Sequence, residues 1–540
     1  MADSVKYEKS QVDGLIGRVE YALKHDVSVD SDDLKLLLEL VLGFNAKLNR
    51  QHSTIEKLRK LAGLVNQGEP GQRGAQGQAK RVGNRTRKNT TGFADDALDT
   101  EPAVEVHTIE SAHKGDQCPA CEKGKLAKVD PATFVRVSGQ APLIVTRHVL
   151  EQLRCSTCGT YYSAELPKQH SQDGPRGQQY GYSARAIMVI FKTLTGVPYF
   201  RQQSLQRVLG FTIAASTIYD QCKAVSEILK PLVDHMLALA ANAPEFALDD
   251  TTNRILDQKG KEIPDRRTKK PKHRTGIHTS AVVATLENGH SLLLFKTNIG
   301  HAGEWIDEIL QPRQTTAPPP ILMSDALNRN APSVLDEFIW CKCNAHARRE
   351  FYESFDTMPQ AQWIIDQYAL IWQHETHCEE QRLDAQARLR YHKTHSLPIM
   401  AAMRERCRQW TEGSDEVEPN SGFGQACTYF LNHFEGLSRF CHVPGAKIDN
   451  NRVEQIIKLI IRIRKNSLFY KTQNGADVGD ILTTVLATAV ENNVNVFEYL
   501  VVLQQNWFDV GRHPERWLPW SYRQTLKDQV VADDEAAVVA

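Results

Sequence analysis

The stretch Glu245-Phe246-Ala247-Leu248-Asp249-Asp250-Thr251 is an apolar run that stops on two acids and a hydroxyl. Packing alone gives no reason for a buried strand to finish this way. Each ionised carboxylate costs several kcal/mol to desolvate unless something pairs with it. A hard cation such as Mg²⁺, which takes oxygen ligands, is one such partner. The alternative is that Asp249 and Asp250 open a turn. Deciding between the two requires further acids elsewhere in the chain that end comparable strands.

At 540 residues the chain exceeds a single core, so several domains are expected. Lys plus Arg equals Asp plus Glu at 65 each, so net charge names no partner and any nucleic-acid affinity must be local. No apolar run reaches membrane-spanning length, and no charged-then-apolar N-terminus is present. A soluble, unsecreted protein is therefore expected. Its eleven cysteines then argue against a disulfide framework, and four of them sit in a paired spacing that suits metal.

The N-terminal region, residues 1–65, is expected to be helical and to form a coiled coil. Leu34, Val41, Leu48, Ile55 and Ala62 recur every seven residues, and Leu37, Phe44, Leu58 and Val65 occupy intervening d-type positions, with Gln51 the polar break. An amphipathic helix packed within its own domain is the competing interpretation. Residues 66–105 read as a basic flexible linker, because Gly, Gln, Asn, Arg and Lys dominate from Asn66 to Gly92 and build no core. Over residues 106–170, Cys118-Pro119-Ala120-Cys121 and Cys155-Ser156-Thr157-Cys158 are two Cys-x-x-Cys knuckles. Four thiolates in this spacing suit one tetrahedral Zn²⁺ in a zinc ribbon, a structural role with no open coordination position. A redox pair is the other use of Cys-x-x-Cys, but redox motifs do not come doubled in this way. Residues 171–240 are helical in pattern, with breaks at Pro198 and at Gly210-Phe211-Thr212, the outline of a helix-turn-helix DNA-binding region.

Beyond the opening run, Arg266, Arg267, Lys269, Lys270, Lys272 and Arg274 form a basic loop suited to a phosphate-bearing substrate. Ile277 to Leu286 and Ser291 to Thr297 read as strands joined at Asn288-Gly289. A helix follows at Gly303 to Ile309, then a second short apolar run, Ile321-Leu322-Met323, ending in Ser324-Asp325. Strand, hairpin, strand, helix and strand, with acids closing the first and fourth strands, is the layout of an RNase H-like α/β core over residues 241–355. Residues 356–445 read as a helical insertion. Residues 446–510 hold a helix capped by Asp449 or Asn450, with Glu454 one turn inside and Lys458, Arg464 and Lys465 beyond it. The acidic, alanine-rich residues 511–540 read as a disordered tail. The fold class is thus multidomain α+β/α.

The order of heptad helix, doubled Cys-x-x-Cys, Asp-Asp-Thr, Cys343-Asn344-Ala345-His346-Ala347-Arg348-Arg349, Asp449-Asn450-Asn451-Arg452-Val453-Glu454 and Arg464-Lys465-Asn466-Ser467-Leu468-Phe469 resembles the insertion sequence 66 family of bacterial DDE transposases over roughly residues 34–510. The resemblance implies a catalytic triad at Asp249, Asp325 and Glu454 that binds Mg²⁺ or Mn²⁺ for two-metal phosphoryl transfer on DNA. It further implies terminal inverted repeats and target DNA as partners, a dimer or higher oligomer, accessory proteins from the same element, and a cytoplasmic, nucleoid-associated location. Arg266, Arg267, Lys269, Lys270, Lys458, Arg464 and Lys465 are candidate DNA contacts. Cys343, His346, Arg348 and Arg349 form a motif whose role the sequence does not give; support of the active-site sheet is expected over metal binding, because two ligands do not close a zinc site.

The chain departs from the family pattern at Lys458-Leu459, usually Arg-Pro, and at Ile463, usually Gly before Arg-Lys-Asn. These departures motivate an alternative, a catalytically impaired DNA-binding protein derived from a transposase. A resolving or repair nuclease on the same core is a third class, which nothing in the sequence requires.

Overall fold

The computed structural model describes residues 141–539 with brief interruptions at 155, 157–160, 166, 176–177, 265–269, 336, 356–357 and 413–416, together with 15, 18, 30, 33, 113–117 and 125–126. The chain divides into two compact units, Met1–Val137 and Ser138–Ala540. The expected coiled coil, the basic linker and the four ribbon cysteines lie outside the described residues. What is described near the second Cys pair is a short antiparallel hairpin, β1 (Gln152–Arg154) with β2 (Tyr161–Ser163).

Three helices lead into the sheet of the second unit: α1 (Tyr182–Thr193), α2 (Tyr199–Val208) and α3 (Ala215–Ala240). Strand β3 (Glu245–Asn253) is followed by the small hairpin β4 (Lys261–Pro264) and β5 (Pro271–Arg274), and then by β6 (Ile277–Thr285) and β7 (Ser291–Asn298). Helix α4 (Ala302–Leu310) precedes β8 (Ile321–Ser324) and β9 (Ile339–Lys342). The basic stretch expected to be a loop is therefore a hairpin at its two ends, with residues 265–269 outside the described set. Helix α5 (Asn344–Glu353) and four more helices, α6 (Gln360–Glu380), α7 (Ala385–His395), α8 (Leu397–Glu412) and α9 (Gly422–Leu437), precede α10 (Asn451–Ser467). The chain closes with α11 (Gln473–Glu491), α12 (Val496–Gln505), α13 (Trp507–Arg512) and α14 (Tyr522–Val539).

The central sheet is mixed, in the order β7-β6-β3-β8-β9: β7, β6 and β3 are antiparallel, and β3, β8 and β9 are parallel. Both of its faces are covered. Phe246, Leu248, Val282, Ala284, Leu292 and Leu294 pack on one side with α3, α4 and α11. Ala281, Val283, Leu293 and Phe295 pack on the other against Val453, Ile457, Ile460 and Ile463 of α10. Burial on both faces explains why β6 and β7 read as continuous apolar runs. Beyond β8 and β9, helices α5, α6, α8 and α9 build a further core around Phe351, Tyr368, Trp410, Phe423 and Phe430.

The free edge of β7 is closed by α11 through a polar row at four-residue spacing. Asp480 accepts the Thr297 N–H at 2.6 Å, Thr484 accepts the Phe295 N–H at 3.2 Å, and Thr488 accepts the Leu293 N–H at 3.0 Å. The Asn492 side chain donates to the Ser291 carbonyl at 3.0 Å. Four helical residues advance ~6.0 Å and two strand residues ~6.8 Å, so the two repeats stay in step for several turns. This satisfies an edge that would otherwise invite pairing with another strand.

Two expectations are corrected. Strand β3 does not end at Asp249-Asp250: its pairing with β6 runs on to Asn253, and only its parallel pairing with β8 stops, at Ala247. The C-terminal stretch is a helix over Tyr522–Val539 rather than a disordered tail. Its Ala, Glu, Lys and Gln are good helix formers, and Tyr522 is fully buried at its start, packed against Tyr499. Among the described residues no helix is long and apolar enough to cross a membrane. Thr484→Val keeps the side-chain volume but leaves the Phe295 N–H buried without an acceptor. Chemical denaturation of the full chain should show a loss of about 1–3 kcal/mol, whereas an exposed change such as Lys527→Gln should cost almost nothing.

Candidate active site

Alternation along β3 separates its two acids. Phe246 and Leu248 face the core that includes α3 and α4, so Asp250 continues that row. Ala247 packs on the side of α10, and Asp249 continues that one. On the parallel neighbour, Ala247 is registered with Met323. Extending this register by two residues sets Asp325 beside Asp249. The Asp325 carboxylate is held by the Leu327 N–H at 3.2 Å and by the side-chain amide of Asn330.

Glu454 arrives from the first turn of α10, on the face that packs against β3 and β6. Its Oε1 is buried without a hydrogen-bond partner, as is His346 Nδ1, and the two atoms stand 3.5 Å apart. Its Oε2 lies 3.9 Å from the Arg349 guanidinium. Burial pushes the Asp249 carboxyl up to about 7. The charges of Asp325, Asp250 and Glu454 add to that rise, and the hydrogen bond from the Asp250 N–H opposes it. Ionising Asp249 is thereby costlier by roughly 4 kcal/mol. A divalent cation offsets a cost of this kind. The three carboxylates offer only oxygen, which suits Mg²⁺ or Mn²⁺, and Glu454 Oε1 is buried without a hydrogen bond; potential ligand atoms of His346 and Cys343 also lie within 4.8 Å of Glu454.

The Cys343–Arg349 segment frames this carboxylate. Cys343 accepts the Asn450 N–H at 3.2 Å, and burial pushes its thiol up to about 12, so it stays a neutral packing group. The Asn344 side chain donates to the carbonyls of Leu437 and Ile448, both at 2.9 Å, and Asn450 donates to the Leu248 carbonyl at 2.9 Å. The start of α10 is thus tied both to α5 and to the strand carrying Asp249. Arg348 lies over the Tyr352 ring, away from Glu454. Sequence reasoning did not single out Asn344 and Asn450 as positioning residues. Their signal was amide side chains that burial would force to find partners.

Asp250 stands apart from the other acids. Burial acts to raise its carboxyl, but the His301 hydrogen bond and the charges of Arg329 and His278 outweigh this and hold it below the usual range. Among the candidate DNA contacts, Lys270, Lys458 and Lys465 are exposed, while Arg266, Arg267 and Lys269 lie outside the described residues. Arg464 is a brace: its guanidinium donates to Thr251 Oγ1 at 3.0 Å and Thr252 Oγ1 at 2.8 Å. Ile463, where the family usually has Gly, is buried within a helix that runs without a break from Asn451 to Ser467.

The folded chain binds the Asp249 proton more tightly than the unfolded chain does. Metal-free stability therefore falls as pH rises from about 4 through about 7. Metal binding needs the deprotonated form, so Mn²⁺ affinity should rise between pH 6 and pH 8. At pH 6 binding should release about one proton, measured by calorimetry in buffers of different ionisation enthalpy. Asp249→Asn should abolish the release.

A model of the Transposase IS66 family matches residues 177–478, more than half of the chain. Three proteins of Sinorhizobium fredii, all described as uncharacterized, are also similar. Protein y4jD is 24% identical over 75% of this chain and 78% of its own length. Protein y4hP is 23% identical over 87% and 83%, and y4qI is 29% identical over 34% and 33%. The span matched by the family model includes all three carboxylates, the Cys343–Arg349 segment and α10, and the chain belongs to the IS66 family of transposases.

Proposed function

We propose that the protein is a DDE transposase that cleaves DNA at the ends of an insertion sequence and transfers the freed strand to a target. The observation that carries this reading is the buried Asp249 carboxyl, pushed up to about 7 by desolvation, with the charges of Asp325 and Glu454 adding to the rise. The sheet order, with three antiparallel strands followed by two parallel ones and a helix joining β7 to β8, supports an RNase H-like core. In this reading Asp249, Asp325 and Glu454 hold Mg²⁺ or Mn²⁺, which supplies Lewis-acid charge to the phosphoryl group and its leaving oxygen.

The chain's own residues do the rest. His346 and Arg349 orient the Glu454 carboxylate, and Asn450 fixes the start of its helix against β3. Lys458 and Lys465 on the exposed side of α10 neutralise DNA phosphates without reading sequence. The four-cysteine ribbon with its structural Zn²⁺, the helical region over 171–240 and the N-terminal helix serve end recognition and the pairing of two protomers. Accessory proteins from the same element complete the partners. Ile463 packs as a core residue, so it offers no support to the impaired alternative.

Asp249→Asn, Asp325→Asn and Glu454→Gln should each lower Mg²⁺-dependent cleavage of the terminal repeats by on the order of 10³ or more, while end binding in a mobility-shift assay stays near wild type. Cleavage at the wild-type rate by any of them would remove that residue from the site.

A further inference from the structure

On the side of the sheet away from Asp249, Asp250 meets two histidines that the proposed chemistry does not use. His301 precedes α4, and its Nδ1 lies 3.3 Å from Asp250 Oδ2. His278 comes from β6, two residues along from Ser280, which pairs with Asp250, and its ring centroid is 4.2 Å from that of His301. The coordinating atoms of all three side chains lie within 4.8 Å of one another. His278 Nδ1 is buried and has no hydrogen-bond partner. A histidine pair present only for packing would leave this nitrogen unsatisfied, at a desolvation cost with nothing to offset it.

We propose that Asp250, His278 and His301 form a second metal site, selective for a zinc-class ion, on the back of the strand that carries Asp249. Two imidazoles and one carboxylate are a borderline donor set of the kind that takes Zn²⁺, in contrast to the all-oxygen set on the opposite face. Two ligands each ~2.0–2.1 Å from a tetrahedral ion stand roughly 3.4 Å apart. The Asp250–His301 pair already has that spacing, and rotation of the His278 ring closes the remainder. Arg329 lies 3.5 Å from the other oxygen, Oδ1, while Oδ2 faces His301 and also accepts the Ala302 N–H at 3.5 Å. The main chain at His301 is fixed: its backbone N–H donates to Glu304 at 2.9 Å, and Glu304 is itself paired with Arg274 at 2.5 Å. An ion here would join β3, β6 and the start of α4 directly behind Asp249, stiffening the strand on which the three-carboxylate site is built. With three protein ligands, a fourth position stays open to water.

The proposal does not depend on transposase activity, and its test reads metal alone. The full chain, stripped by chelator, is dialysed against Zn²⁺ buffered near 1 µM (about the level that fills sites but not scattered surface histidines), and bound zinc is counted. Wild type should hold one equivalent more per chain than His278→Gln/His301→Gln, whatever the four-cysteine motif contributes to both. Equal zinc in the two, with matching circular dichroism spectra, overturns the site. If the double variant misfolds, X-ray absorption on zinc-loaded wild type decides. Imidazole scattering equivalent to two histidines on one bound zinc supports the site, and shells of sulfur and oxygen without imidazole overturn it.

Discussion

Period-two alternation along β3 is the constraint on which the rest of the structure depends. Because successive side chains leave opposite faces, Leu248 and Asp250 share one side while Ala247 and Asp249 share the other. The two sides then acquire different chemistry. Asp249 is pushed toward its neutral form by burial, with nearby carboxylates adding to the effect, while Asp250 meets histidines and an arginine and is held ionised. A slip of one residue in the β3–β6 register would exchange these environments and turn the apolar rows out of their cores. Register is therefore fixed by both packing and charge.

The surroundings of Glu454 show how a helix is held in place against the repulsion of its own carboxylate. Val453, Ile457, Ile460 and Ile463 pack on β6 and β7, and this burial presses α10 onto the sheet. Hydrogen bonds from Asn344 and Asn450 fix where the helix begins, and Arg464 ties its far end to Thr251 and Thr252. His346 and Arg349 stand beside the Glu454 carboxylate, 3.5 Å and 3.9 Å from its two oxygens.

Much of the sheet was legible locally. Apolar runs bounded by Asn288-Gly289, Pro318-Pro319-Pro320 and the acids themselves mark the strands, because burial and turn chemistry act over a few residues. Asp325 was recognisable for the same reason as an acid just past the end of an apolar strand, and Asp249 as the acid that stops an apolar run, although its strand continues to Asn253. What sequence did not reveal rests on partners far apart in the chain. The continuation of β3 to Asn253 depends on β6, and the brace role of Arg464 depends on threonines more than two hundred residues away. His278 and His301 carry no motif spacing, since a strand and a helix start bring them together only in the fold. The row Asp480, Thr484, Thr488 and Asn492 did leave a trace, polar residues every fourth position in an apolar helix, but its meaning required the free edge of β7.

The central claim is that Asp249, Asp325 and Glu454 share one metal site. The most direct measurement uses the His278→Gln/His301→Gln chain, where iron has no histidine pair to occupy, and replaces Mg²⁺ with Fe²⁺, ascorbate and hydrogen peroxide, so that bound iron reduces the peroxide to hydroxyl radicals that cut the nearest backbone. The account predicts coordinated cuts close to residues 249, 325 and 454, all suppressed by excess Mg²⁺. Cuts near 249 without cuts near 325 and 454, or cuts that Mg²⁺ leaves unchanged, would contradict it.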